Sequence, residues 1–175
     1  MPLPSPQRRS LLKNLAFCLA APLGRAAMAQ APASSTPPLS LGQSISWSTI
    51  TALTGEVLPA SHFEGRVTVI YWWASWCPFC REQTPEMQKL WIQHSPRSLR
   101  LLGISVDTKL EVAQQHQTRA GMTVPSTWST EGLMRIFPRP RGVPVTAVID
   151  RRGLVVQIER GQMFPEDIAS LARWL

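Results

Sequence analysis

Acidic residues are absent from the first 29 positions, although the 175-residue chain carries 11 of them against 18 Lys and Arg. The formal charge of +7 is therefore uneven: without Arg8, Arg9, Lys13 and Arg25 the remainder holds 14 basic and 11 acidic residues, a net of +3. That small excess removes the motive for a nucleic-acid partner. No stretch reaches the roughly 20 apolar residues that cross a bilayer. The three histidines, His62, His94 and His116, are scattered without the paired-ligand spacing of a zinc site. No internal repeat is visible, so length and composition suit one globular domain with an appendage. Cysteine occurs only three times, at Cys18, Cys77 and Cys80, an odd number that would leave a spare thiol in an oxidising compartment.

The appendage accounts for the surplus charge and the odd thiol. Residues 1–29 read as an export signal, with a basic stretch at Arg8 and Arg9, an apolar stretch from Leu15 to Leu23 interrupted by Pro22, and Ala27-Met28-Ala29 as a cleavage site. Gln7 to Lys13 resembles the twin-arginine export motif, with an ordinary secretory signal as the alternative. Lipid attachment at Cys18 is disfavoured by the bulky Phe17 before it. Residues 30–40, rich in Ala, Pro and Ser, read as a flexible tether. Cleavage near Ala29 leaves a soluble periplasmic protein with two cysteines, Cys77 and Cys80, and we read it as a monomer.

From residue 41 onward strands and helices alternate. Val67 to Trp72 is a β-branched and aromatic run suited to a buried central strand. A helical pattern follows, with Met87, Leu90 and Trp91 at positions i, i+3 and i+4. Leu99 to Val106 predicts a second strand, and residues 110–120 a weakly amphipathic helix stopped by Gly121. Val145 to Ile149 and Leu154 to Ile158 predict a hairpin turned by Asp150-Arg151-Arg152-Gly153. Pro165, Glu166 and Asp167 open a last helix carrying Ile168, Leu171, Ala172 and Leu175. The expected architecture is α/β, a central mixed sheet flanked by helices.

The chemistry falls where the central strand gives way to a helix, at Trp76-Cys77-Pro78-Phe79-Cys80. Pro78 fits the first helical position, which makes Cys77 the N-cap. There its sulfur meets unpaired backbone N–H groups and the positive end of the helix dipole, both of which favour thiolate, the nucleophile of disulfide exchange. Cys77 is then expected to attack a partner's disulfide, and the less exposed Cys80 to resolve the mixed disulfide; in reverse, the pair oxidises a dithiol. Two other uses of the pair remain. One is a structural disulfide, although so short a loop gains least in chain entropy. The other is Cu(I) held by both thiolates, with Met122 or Met163 as a further ligand.

Residues 71–82, Tyr-Trp-Trp-Ala-Ser-Trp-Cys-Pro-Phe-Cys-Arg-Glu, resemble the active-site segment of the thioredoxin superfamily, and more closely that of the exported TlpA-like and ResA-like thiol-disulfide oxidoreductases. The similarity runs from about Leu41 to the C-terminus and includes Pro85, Val124-Pro125 and Gly142-Val143-Pro144-Val145-Thr146. It implies a thioredoxin-like fold with an N-terminal strand extension and a redox-active Cys77–Cys80 disulfide, with no other cofactor. It also implies a cis Val143–Pro144 bond facing the cysteines, with Trp76, Pro78, Phe79, Val143 and Pro144 meeting the substrate. Trp72 and Trp73 are expected in the core. Clients would be exported proteins bearing disulfides or dithiols, and a membrane thiol electron carrier would re-reduce the pair. An oxidase or isomerase is the alternative on the same fold.

Two positions depart from those relatives. Many carry a Glu six residues after the first cysteine, where this chain has Gln83, with the acid one residue earlier at Glu82. The strand position that holds a buried Asp in cytoplasmic thioredoxins is Tyr71. Cys80 is therefore expected to lose its proton less readily than in Glu-bearing relatives. Arg81 follows the pair, and Arg135, Arg139 and Arg141 crowd the approach to the Val143–Pro144 loop. They are read either as steering charges for an acidic partner or as solvated loop residues.

Overall fold

A computed structural model describes residues 37–95 and 99–175. The export signal and most of the tether lie outside the described residues. A small antiparallel pair, β1 (Ile50–Thr51) and β2 (Val57–Leu58), comes first. The central strand β3 (Val67–Trp73) is buried at all seven positions, as its continuous apolar run requires. Its neighbours are β4 (Leu99–Ser105), parallel to it, and β6 (Val145–Ile149), antiparallel. The short β5 (Ser126–Trp128) lies outside β4 and the hairpin partner β7 (Val155–Arg160) outside β6, giving the order β5-β4-β3-β6-β7. Gly103 of β4 faces Ser126 and the Trp73 indole, and a Cβ there would collide with both.

The helices are α1 (Pro78–His94), α2 (Leu110–Arg119), α3 (Glu131–Ile136) and α4 (Pro165–Ser170). Helix α1 buries Met87 and Leu90, members of the expected apolar stripe, and keeps Pro85 exposed. Trp72 and Trp73 lie in the core, 2% and 1% exposed, and Phe137 stands edge-on to Trp72.

Three elements differ from the sequence reading. Helix α3 was not foreseen: it is six residues long, opened by the Thr130 hydroxyl accepting the Leu133 N–H, and only Leu133 is buried. The last helix stops at Ser170 and tightens into a 3-10 turn over Leu171–Trp174. The tether also ends sooner than expected, because Leu39 is buried in the core. Next to it the chain pairs with the start of β7: Gly42 N–H donates to the Val155 carbonyl, Val155 N–H to Gln43, and Ile45 N–H to Gly153. These bonds fasten the first residues after the tether to the edge of the sheet. Among the described residues no helix is long and apolar enough to cross a membrane.

Candidate active site

Strand β3 ends at Trp73, and the three residues Ala74-Ser75-Trp76 carry the chain to Cys77 at the N-terminus of α1. The turn is held from beneath by Asp107, a carboxylate only 2% exposed, just beyond β4. Its oxygens accept the Ser75 N–H at 3.2 Å, the Ser75 hydroxyl at 2.9 Å and the Ser105 hydroxyl at 2.9 Å. The Asp107 carbonyl accepts the Trp128 indole N–H at 2.8 Å. Nothing in the sequence analysis marked Asp107; an acid two residues after an apolar strand was the available signal.

Cys77 occupies the N-cap, with Pro78 at the first helical position, and its Sγ accepts the Cys80 N–H at 3.1 Å. The two cysteines are joined as a disulfide, their Cα atoms 5.2 Å apart. They do not differ in exposure as expected: each is 2% exposed, because the Val143–Pro144 loop closes over Cys77. The Val143 carbonyl oxygen lies 3.5 Å from Cys77 Sγ, and the Val143–Pro144 peptide is cis. Around this buried pair Trp76, Pro78 and Phe79 are exposed, the two aromatics at 63% and 55%.

The departures at Tyr71 and Gln83 each have a structural counterpart. The Tyr71 hydroxyl donates to the Cys80 carbonyl at 3.0 Å and lies 3.2 Å from the Thr84 hydroxyl, which donates to the same carbonyl at 2.7 Å. Burial pushes the Tyr71 phenol well above its ordinary pKa, so it stays neutral where thioredoxins hold a carboxylate. Gln83 is 1% exposed and uses both ends of its amide, donating to the Thr146 hydroxyl at 3.2 Å and accepting the Met163 N–H at 2.8 Å. It thereby ties α1 to β6 and to the turn before α4. Glu82 points outward and accepts the Gln162 amide at 2.8 Å, and Arg81 is exposed.

The other candidates do not converge. His62 stacks edge-on to Phe63, and His116 lies tilted over Trp73, its centroid 5.4 Å away. Burial lowers the pKa of both. Among the described residues no three His, Cys, Asp or Glu side chains gather to hold a metal ion. Arg139 and Arg141 line a cavity beside the Val143–Pro144 loop together with Arg160 of β7; Arg135 is not among its lining residues.

A dithiol at the N-terminus of the helix that follows a central strand, faced by a cis-proline loop, defines the thioredoxin-like thiol-disulfide redox enzymes. The chain belongs to the AhpC/TSA family, whose model matches residues 41–158. It is 28% identical over 120 residues to a thiol-disulfide oxidoreductase ResA of Geobacillus kaustophilus, covering 68% of each chain. It is also 25% identical over 112 residues to a ResA of Halalkalibacterium halodurans, covering 63% of each. The matched part thus spans about two thirds of these relatives' length. A crystal structure of a thiol:disulfide interchange protein from Chlorobium tepidum superposes with a TM-score of 0.69 at 22% identity, covering 78% of this chain and 97% of that one, and shows the same fold.

Proposed function

We propose that this protein reduces disulfides of exported client proteins through Cys77 and Cys80. Relatives named as thiol-disulfide oxidoreductases support the reaction class. The observation that carries the direction is the sparse stabilisation of Cys77. Among the described residues one backbone N–H, that of Cys80, donates to its sulfur, and the group facing it across the site, the Val143 carbonyl, is an acceptor. A strong oxidant of this class owes its potential to a stabilised reduced form. Here a thiolate would have one donor and the helix dipole, which favours a weakly oxidising, hence reducing, couple.

In the reduced protein the Cys77 thiolate attacks one sulfur of the client disulfide. The Cys77–client bond forms, and the client's other sulfur leaves as a thiolate that takes up a proton. Cys80 then gives up its proton and attacks Cys77 Sγ, forming the intramolecular disulfide and releasing the client's second thiolate, which is protonated in turn. The client gains two electrons and two protons, and a membrane thiol electron carrier restores them to the protein. Trp76, Pro78, Phe79, Val143 and Pro144 meet the client chain. Residues 1–29 direct the protein to the periplasm. The reduction potential of the couple tests the direction, with Cys80→Ala to trap clients as mixed disulfides. A value near the ~−270 mV of thioredoxin supports reduction, and one near the ~−120 mV of a strong oxidant overturns it.

A further inference from the structure

A cavity of about 780 Å³ opens beside the Val143–Pro144 loop, at the same end of the sheet as the dithiol. Its walls are apolar, built from Leu39, Pro138, Pro140 and Ile158, and three guanidinium-bearing residues, Arg139, Arg141 and Arg160, line it as well. All three arginines are exposed, and none forms a salt bridge among the described residues. No acidic residue lines the cavity. The Trp72 side chain, 2% exposed, adds to the apolar wall. Three unpaired cations over apolar walls, with no carboxylate among them, are a combination that an anionic group attached to an apolar chain satisfies.

We propose that this cavity receives an extended segment of the client that carries a carboxylate side chain next to an apolar one, close in sequence to the cysteine under attack. The proposal rests on the reductase reading and names its substrate preference. Continuity fixes the occupant as client polypeptide. Val143 and Pro144 belong both to the cavity wall and to the loop over Cys77, so a chain joined to Cys77 passes the cavity mouth. The chain's own N-terminal residues, which precede Pro37 at the cavity wall, cannot supply the charge, since no Asp or Glu occurs before Glu56.

The test measures kcat/KM of the full chain on three substrates: a disulfide-linked peptide with Glu-Leu beside its cysteine, the same peptide with Gln-Leu, and the small neutral 2-hydroxyethyl disulfide. Two or three ion pairs of ordinary surface strength amount to about a tenfold preference for the acidic peptide. That preference should shrink at high salt and vanish in the Arg139→Gln, Arg141→Gln, Arg160→Gln variant, with the rate on 2-hydroxyethyl disulfide unchanged. Equal kcat/KM for the two peptides, or a preference that survives in the triple variant, overturns the cavity assignment. Inhibition by free laurate as strong as by the reduced acidic peptide would assign the cavity to a small amphiphile instead and also overturns it. Failure to reduce 2-hydroxyethyl disulfide would count against the reductase reading itself.

Discussion

Replacing Gln83 by Glu puts a carboxyl group into a buried slot whose hydrogen bonds can accept it. The Met163 N–H already donates to the side-chain oxygen, and the Thr146 hydroxyl, which now accepts from the amide, can rotate to donate. Position 83 is one turn beyond Cys80 on α1, and side chains so spaced lie about 6 Å apart. At an effective dielectric constant of about 20, two unit charges at that distance repel by about 2.8 kcal/mol, or about two pH units. The carboxylate and the Cys80 thiolate are then coupled and titrate as a pair. In Gln83→Glu the upper step, thiol ionisation, should move up by about two units, and a new lower step should appear as the carboxyl group loses its proton; by charge alone Cys80 therefore ionises more readily beside Gln83 than beside a Glu, and a Glu eases its deprotonation only by accepting the proton. At pH values between the two steps the carboxylate can receive the Cys80 proton, which Gln83 cannot. The assay is the pH dependence of the resolving step, followed by rapid mixing of reduced protein with a client disulfide, together with alkylation of Cys80 in a Cys77→Ser background. Superimposable pH profiles for wild type and Gln83→Glu would refute the idea that residue 83 governs the Cys80 proton. Gln83→Leu serves as a control: it leaves the buried Met163 N–H without its acceptor at about 1–3 kcal/mol, a loss seen in urea unfolding without a new titration step.

Three further outcomes are expected. Asp107→Ala removes the acceptor for Ser75 and Ser105 and should lower unfolding free energy by about 3 kcal/mol, with Asp107→Asn recovering part of it; an unchanged urea midpoint would show that the turn before Cys77 holds itself. Trp76→Ala with Phe79→Ala touches exposed side chains, so stability should stay within about 0.5 kcal/mol while kcat/KM on a protein client falls and that on a small disulfide does not. His116, whose pKa is lowered by burial and then by Arg81 against an opposing pull from Asp107, favours the neutral form when folded. Its contribution is complete above the ordinary histidine pKa of 6.5 and is lost as pH falls from there toward the lower folded value. His116→Gln should therefore flatten the decline of the urea midpoint below pH 6.5, and an unaltered slope would contradict the burial argument.

The readable parts of the fold were those in which one local signal agreed with burial. Strand β3 announced itself by an unbroken β-branched and aromatic run, and Cys77 by a proline at the next position. The β6–β7 turn was marked by Asp150 and Gly153, and there the Asp150 carboxylate accepts the Arg152 and Leu154 N–H groups. Helix α3 escaped because a single buried residue, Leu133, sets no period. Leu39 escaped because its prolines and serines spoke for solvent and only contact with the body could overrule them. The support of the site was hidden for another reason: Asp107 holds Ser75 from 32 residues away, and Met163 reaches Gln83 from 80. Partners so distant leave no local pattern. Arg160 joins Arg139 and Arg141 only because β7 runs beside β6 and ends at the same loop.

The rims of the sheet bear on the company this protein keeps. One rim is β5, three residues long, and the other is β7, whose opening residues are already bonded to the Gly42–Ile45 stretch and whose closing residues are Glu159 and Arg160. Short, occupied or charged rims resist the addition of a foreign strand. Under the proposed function the protein meets extended client segments able to add such a strand. It can hold them at the dithiol and release them again, with few places where they could become part of its own sheet.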